Sequence, residues 1–271
     1  MSVGESFSLD GYLARIGWNG SREPTLETLA GVLRAHMTRV PFENLDVLLG
    51  RGVRLDLGSV YAKSVLAGRG GYCFEHATLF QAAIEHLGFH PVPHAARVIV
   101  LAPKAQAPRT HMFLTVQVSG GAFVLDPGFG RQAPLVPLPL VAGVDARDGG
   151  DLHRMVREGE EWVLEAEIDG SMQPLWCSTL EPQHPVDFAV ANHFVCTFPE
   201  SPFVTHLMLQ ALTPRGRVTV LNRDVTTRGA GGVEKRVLAD RAALRALLAA
   251  DFGFDMPEVE RLKVPSVPEW A

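Results

Sequence analysis

Three short segments hold residue types that could do chemistry together. The first is Arg69-Gly70-Gly71-Tyr72-Cys73-Phe74-Glu75-His76. Its two glycines allow a tight turn and close approach of neighbouring backbone. Cys73 follows them in the first turn of an expected helix, where the helix dipole and the unpaired amides favour thiolate over thiol. An isolated free cysteine is ordinarily a small buried hydrophobe. Cys177 and Cys196 lack the glycine-to-helix setting and are read that way. The second segment is Arg109-Thr110-His111-Met112-Phe113, with His111 opening an alternating strand. The third is Leu125-Asp126-Pro127-Gly128-Phe129-Gly130, with Asp126 closing a β-branched strand before a Gly-Phe-Gly turn. Taken singly, His111 reads as a structural histidine and Asp126 as a turn former. Taken together, Cys, His and Asp in this order can supply a nucleophile, its base and the carboxylate that orients the base. His111 and Asp126 fall on the two strands of one expected hairpin, which brings them close.

The elements that must position these groups change in type along the chain. Residues 8–16 carry Leu9, Tyr12, Leu13 and Ile16 at helical spacing, with Gly17 as the stop. Thr25 can cap a second helix with Leu26, Leu29, Leu33 and Met37 on one face and Pro41 just past its end. A third short helix is expected from Ser59 to Ala67, and a fourth from near Cys73 to Gly88. From about residue 92 the period becomes that of strands: 95–101, 111–118, 122–125, 152–157, 162–168 and 172–177. Residues 134–143, with three prolines, read as a loop, and 186–194 as a helix. Residues 203–212 and 217–221 read as paired strands across Pro214-Arg215-Gly216. The glycine-rich tract 226–232 reads as a flexible loop. Asp240 can cap a last helix facing inward through Leu244, Leu247, Leu248 and Phe252. No internal repeat is present. The expected fold class is α+β: an N-terminal helical bundle over 1–90, an antiparallel sheet or small barrel over 91–195 and a smaller α/β portion over 196–271.

Composition removes several function classes. Apolar residues at 46% and charged residues at 20% are ordinary for a soluble globular chain. The net charge of −5 argues against a general nucleic-acid binder or a binder of anionic membranes. Three widely spaced cysteines make no disulfide framework and fit a reducing, cytoplasmic setting. Met1–Phe7 has no basic leader or apolar core of a signal peptide, and no apolar run is long enough to span a membrane. Cys73 and His76 alone are too few ligands for zinc, so no metal is expected. Gly229–Gly232 lacks the lysine and hydroxyl of a phosphate loop.

The three segments resemble those of the arylamine N-acetyltransferases. That family carries its nucleophile in Arg-Gly-Gly-x-Cys-x-Glu, its base in Thr-His and its acid in Asp-x-Gly-Phe-Gly. All three match here in order. Val40-Pro41-Phe42-Glu43-Asn44-Leu45, Asp187-Phe188 and Ser201-Pro202-Phe203 match as well, so the resemblance covers nearly the whole chain. It implies a fold of N-terminal helical bundle, central antiparallel β-barrel and C-terminal α/β lid, in agreement with that order, with a cysteine-protease-like Cys-His-Asp core. It assigns Cys73, His111 and Asp126 to catalysis. It places Phe42, Phe129 and Arg131 at the acceptor pocket, and Gly128, Phe129 and Phe203 along the pantetheine channel. Two positions depart from the family: Ala77 stands where asparagine is usual, and Pro127 where a small aliphatic residue is common. Glu75 and Arg69, beside the nucleophile, are expected in a buried ion pair or network. His76 is expected to point around the helix, away from Cys73.

The activity implied is ping-pong transfer of an acetyl group from acetyl-CoA, through an acetyl-cysteine, to an arylamine, arylhydrazine or N-hydroxyarylamine, as in xenobiotic metabolism. The expected partners are coenzyme A and the small acceptor, with no nucleic acid and no membrane; a homodimer is left open. The same three groups also suit an amide synthase closing a macrolactam, or a hydrolase or transglutaminase-like enzyme. A degenerate binding protein marked by Ala77 is a non-enzymatic alternative.

Overall fold

The computed structural model describes residues 7–100, 102–148 and 151–271. Ser8 accepts from the Gly11 amide and starts α1 (Leu9–Ile16), which Gly17 ends in the left-handed region at φ 71°. Thr25 accepts from the Thr28 amide and starts α2 (Leu26–Arg39). A two-residue strand, β1 (Phe42–Glu43), leads to the single turns α3 (Leu45–Leu48) and α4 (Leu57–Tyr61), the latter continuing as a π-turn over Ala62–Leu66. The helix α5 (Cys73–His86) then begins on the nucleophile candidate itself. Tyr12, Leu13 and Ile16 of α1 pack on Leu29, Val32 and Leu33 of α2 and on Phe74, Phe80 and Ile84 of α5. Ala77, at the family's usual asparagine position, is fully buried in that cluster.

The next strands are β2 (Pro91–Val98), β3 (Arg109–Val118), β4 (Gly121–Leu125), β5 (Leu138–Pro139), β6 (Asp145–Asp148), β7 (Asp151–Glu158), β8 (Glu161–Ile168) and β9 (Ser171–Ser178). They form one antiparallel sheet in the order β5-β4-β3-β2-β9-β8-β7-β6. The sheet curls into a nearly closed barrel, with the Gly143 amide past β5 donating to Met155 of β7 at 2.8 Å. Strand alternation decides what faces where. Met112, Leu114, Val116 and Leu125 pack outward on the helices, whereas Phe113 and Val124 face Met155, Leu164 and Trp176 inside the barrel. His111 and Asp126 share the inward parity. Each buried Leu or Phe side chain is worth about 1.5–3 kcal/mol, so a one-residue slip that moved them outward would forfeit many such contacts at once. The expected loop over 134–143 is broken by β5, which pairs Phe123 with Pro139.

The chain then forms α6 (Pro185–Thr197), α7 (Pro202–Thr205), β10 (Met208–Thr213), β11 (Gly216–Leu221), β12 (Asp224–Gly229), β13 (Gly232–Val237) and α8 (Arg241–Leu247). Two sequence expectations fail here. Residues 203–205 are helical, because Pro202 sits in the first turn and Ser201 caps it by accepting from the Phe203 amide; the strand begins only at Met208. Residues 226–232 belong to a hairpin rather than a loop. Thr226 and Thr227 sit in the β12 ladder, and the glycines make its turn, with Gly229 opposite Gly232 and the latter at φ 104°. The five-stranded sheet has the order β1-β10-β11-β12-β13, so Phe42 and Glu43 pair with Gln210 and Leu209 across most of the chain length. Asp240 caps α8 through the Ala243 amide, as its sequence predicts.

Candidate active site

Cys73, His111 and Asp126 meet where the start of α5 abuts the open end of the barrel. Extending the β3–β4 register past Leu114–Leu125 sets Asp126 diagonally across from His111, within reach of a side-chain hydrogen bond. His111 Nε2 donates to Asp126 Oδ2 at 2.9 Å. Trp176 Nε1 donates to the same oxygen at 2.8 Å, and the Gly128 amide reaches Oδ1 at 3.4 Å. The carboxylate is fully buried, and these three donors replace its water. With Nε2 committed to Asp126, the Nδ1 edge of the imidazole is left for Cys73, whose proximity helps to raise the ring. Cys73 Sγ also lies 3.8 Å from the Thr110 carbonyl oxygen. Burial alone would push the His111 ring down. The carboxylate of Asp126 and the contact with Cys73 outweigh it and raise the ring to about 10.

Glycines bring the backbones together. A Cβ at Gly128 would stand 2.6 Å from Cys73 Cα, so only glycine permits the Asp126 turn to close on the nucleophile's helix. Gly71 is bridged to Phe42, with the Gly71 amide donating to the Pro41 carbonyl at 3.2 Å and the Glu43 amide donating to the Gly71 carbonyl at 2.8 Å. Aromatic rings ring the opening. Phe129 stands edge-on to His111 at 5.0 Å, Phe42 and Phe203 are 6.3 Å apart, and Phe203 stands edge-on to Tyr72 at 5.3 Å. All three phenylalanines keep part of their surface open to solvent. Arg131 is exposed, and its recorded contact is through its carbonyl, which accepts from Arg217 Nη1 at 2.8 Å.

Beneath Cys73 lies the expected charge network, with a joint that the sequence did not reveal. Arg69 pairs with Glu43 at 2.7 Å and Asp46 at 2.9 Å, not with Glu75. Lys63 links the set, reaching Glu75 at 2.7 Å, Asp46 at 2.9 Å and Glu43 at 3.4 Å. Glu75 also accepts from the Tyr72 amide at 3.0 Å, holding the last turn before Cys73. Three carboxylates share Lys63 and Arg69, with Arg51 reaching Asp46 at 3.6 Å from the surface. Glu75, one of the two deeply buried carboxylates, is pushed up to about 7, mainly by burial, against the pull of Lys63. His76 points away from Cys73, as expected, toward Pro41 and His36. Cys177 is buried, and burial raises both its thiol and that of Cys196. Trp176 was also missed, although its place on an alternating strand beside β2 gave it the right parity. Among the described residues no cluster of metal-ligating side chains occurs, and no helix is long and apolar enough to cross a membrane.

The sequence profile of an N-acetyltransferase family matches residues 25–261. The chain belongs to the arylamine N-acetyltransferase family. It is 37% identical over 259 residues to an arylamine N-acetyltransferase of Mycobacterium bovis, covering 94% of this chain and 92% of that protein. It is 34% identical over 254 residues to the arylamine N-acetyltransferase / N-hydroxyarylamine O-acetyltransferase of Salmonella typhimurium, covering 93% and 90%. The structure of the Mycobacterium marinum arylamine N-acetyltransferase in complex with CoA superposes with a TM-score of 0.88 at 35% identity, covering 93% of this chain and 94% of that one. These family matches do not favour the amide-synthase, hydrolase or binding-protein alternatives.

The His111–Asp126 pair has a signature in stability. A ring raised in the folded state from 6.5 to about 10 stabilises the fold fully below 6.5, and the contribution is lost as pH rises through 10. The gap in Tm between wild type and His111→Gln is therefore largest at mildly acid pH and narrows steadily toward pH 10. Thermal unfolding of both proteins across that range checks it; a gap that is flat or widens removes the charged pair.

Proposed function

We propose that this protein transfers the acetyl group of acetyl-CoA to the nitrogen of an arylamine, arylhydrazine or N-hydroxyarylamine, with Cys73, His111 and Asp126 as its catalytic residues. The observation that carries the reading is the buried imidazole bonded to a fully buried carboxylate, with a thiol at a helix N-terminus reaching the backbone next to it at Thr110. The thiolate of Cys73 attacks the thioester carbonyl, paired with the imidazolium of His111. The tetrahedral intermediate collapses to acetyl-Cys73, and coenzyme A leaves as the thiolate, to which His111 can supply a proton. The amine then attacks the acetyl carbon, His111 takes its proton, and the Cys73 thiolate is released. An aniline suits this step because its low basicity keeps it neutral and nucleophilic at neutral pH. Amides at the start of α5, beginning with that of Phe74, are unpaired within the helix and suited to the developing oxyanion.

Phe42 and Phe129 form the acceptor wall with Arg131 at its edge, and Gly128, Phe129 and Phe203 flank the pantetheine arm. The part-open rings of Phe129 beside His111 and of Phe203 beside Tyr72 support this assignment. A division at residues 90 and 195 is proposed from the change of element type along the chain, with α6 running through its second boundary and β1 pairing across it. A cytoplasmic setting is supported by three free thiols. Mixing the protein with acetyl-CoA without acceptor should add one acetyl group, located by peptide mass spectrometry at Cys73 and removed on adding an aniline. A protein that turns over without acetylated Cys73 would overturn the assignment.

A further inference from the structure

Two histidines and a tyrosine outside the Cys73 cluster form a continuous buried chain. Tyr12 Oη lies 2.9 Å from His36 Nδ1, and His36 Nε2 lies 2.9 Å from His76 Nδ1. His76 Nε2 lies 3.2 Å from the Pro41 carbonyl oxygen. All three side chains are buried. The Pro41 oxygen can only accept, and this fixes the direction of every link. His76 carries its hydrogen on Nε2, so its Nδ1 accepts. His36 must donate to it from Nε2, and Tyr12 donates its hydroxyl hydrogen to His36 Nδ1. One arrangement of protons satisfies both neutral rings. Burial reinforces that neutrality by pushing both imidazoles down, His76 to about 4.

The chain ends where the turn before Cys73 is pinned. The Pro41 oxygen also accepts from the Gly71 amide, and it crowds Gly70 so closely that no Cβ would fit there. His76 stands one turn after Cys73 on α5 and stacks on Phe42 with the rings 6.3 Å apart. Helices α1, α2 and α5 are thus tied through hydrogen bonds to the backbone on either side of the glycine turn. We propose that Tyr12, His36 and His76 are positioning residues for acyl transfer: their chain fixes the Pro41 carbonyl and, through it, the Gly70-Gly71 turn that sets the Cys73 thiol against His111. None of the three touches the reacting atoms; they act through the backbone. The proposal rests on Cys73 as the nucleophile. It explains why two histidines and a tyrosine occupy a core that could have been filled by apolar side chains. A buried polar chain specifies one geometry only when every member is satisfied, and this one is.

The test compares Tyr12→Phe, His76→Leu and His76→Gln. Tyr12→Phe removes the terminal donor and leaves His36 Nδ1 unpartnered. His76→Leu removes both links, whereas His76→Gln keeps one acceptor and one donor, about as far apart as the two ring nitrogens. Two rates are read on folded protein well below each Tm: iodoacetamide alkylation of Cys73 and formation of acetyl-Cys73 from acetyl-CoA. Because small misplacements of reacting groups cost large factors, His76→Leu should lower both rates more than about threefold, as should Tyr12→Phe, with His76→Gln inside that limit. Loss of Tm with both rates inside the limit in Tyr12→Phe and His76→Leu would make the chain structural only and overturn the proposal. A glutamine variant as slow as leucine would also overturn it. If His76→Leu does not fold, Tyr12→Phe decides by the same limit. Failure of the nucleophile assignment shows separately, as wild-type protein that acetyl-CoA does not acetylate at Cys73; alkylation reads the placement of the thiol in either case.

Discussion

Cys73→Ala and Cys73→Ser lose acyl transfer while the protein stays folded. Alanine removes the nucleophile. Serine keeps its outline, but its hydroxyl is far less acidic than a thiol, so His111 cannot hold it as the anion that attacks the thioester. The expected loss in kcat/KM is about ten-thousandfold or more, the scale on which catalysis falls when the nucleophile of a coupled set is removed. Stability should change little. Cys73 is a buried member of the core cluster that holds Phe74 and Phe80, but its side chain is small, and a serine hydroxyl there has the Thr110 carbonyl as an acceptor. Turnover of an aniline and a hydrazide, with Tm measured alongside, checks both halves. Near wild-type turnover by either variant would remove Cys73 from the chemistry. In the wild type, limited iodoacetamide should label Cys73, which has His111 as its base in the proposed chemistry, well before Cys177 or Cys196, whose thiols are raised by burial.

The parts of this site that were legible in the sequence are those fixed by local rules. Ser8, Thr25 and Asp240 are followed by helices because each side chain caps amides three residues ahead, and such interactions need nothing distant. The hairpin that joins His111 to Asp126 shows in its alternation and in Ser119-Gly120-Gly121. Contacts across the chain left no such trace. Phe42 and Glu43 form a strand only because Leu209 and Gln210 arrive to pair with them, and two residues are too few to carry a period. Lys63 looks like any helical surface lysine. It becomes the hub of the charge network only when Glu43, Asp46 and Glu75 converge on it. The reading of 226–232 as a loop weighed the glycines above the alternation that runs through Val225, Thr226 and Thr227, although glycines at a two-residue turn mark a hairpin equally well. Ser201-Pro202 carried a helix-start signal of its own, a cap followed by proline, which the apolar run after it concealed.

Asp126→Asn keeps the fold and loses activity by about a thousandfold, close to 4 kcal/mol of barrier. The carboxylate does three things that an amide of the same shape cannot do at once. Its Oδ2 accepts from both His111 and Trp176, and its Oδ1 faces the Gly128 amide. An asparagine that turns its oxygen toward His111 and Trp176 points its NH2 at the Gly128 N–H. Turned the other way, it points the NH2 at two N–H donors. Either orientation buries a donor against a donor, which costs about 1–3 kcal/mol of stability. The larger effect is on charge. The His111 ring is raised because Asp126 outweighs the burial that would lower it. With the carboxylate neutralised, burial prevails, the imidazolium loses its partner, and the proton of Cys73 has no favourable place to go. Two measurements separate this from simple unfolding. Wild-type Cys73 should be alkylated quickly at neutral pH, whereas folded Asp126→Asn should be alkylated distinctly more slowly under the same conditions, with its Tm showing that the fold is kept. If a soluble, folded Asn variant keeps more than about a tenth of the wild-type rate, less than about 1.4 kcal/mol depends on this carboxylate, and the acid must be sought elsewhere.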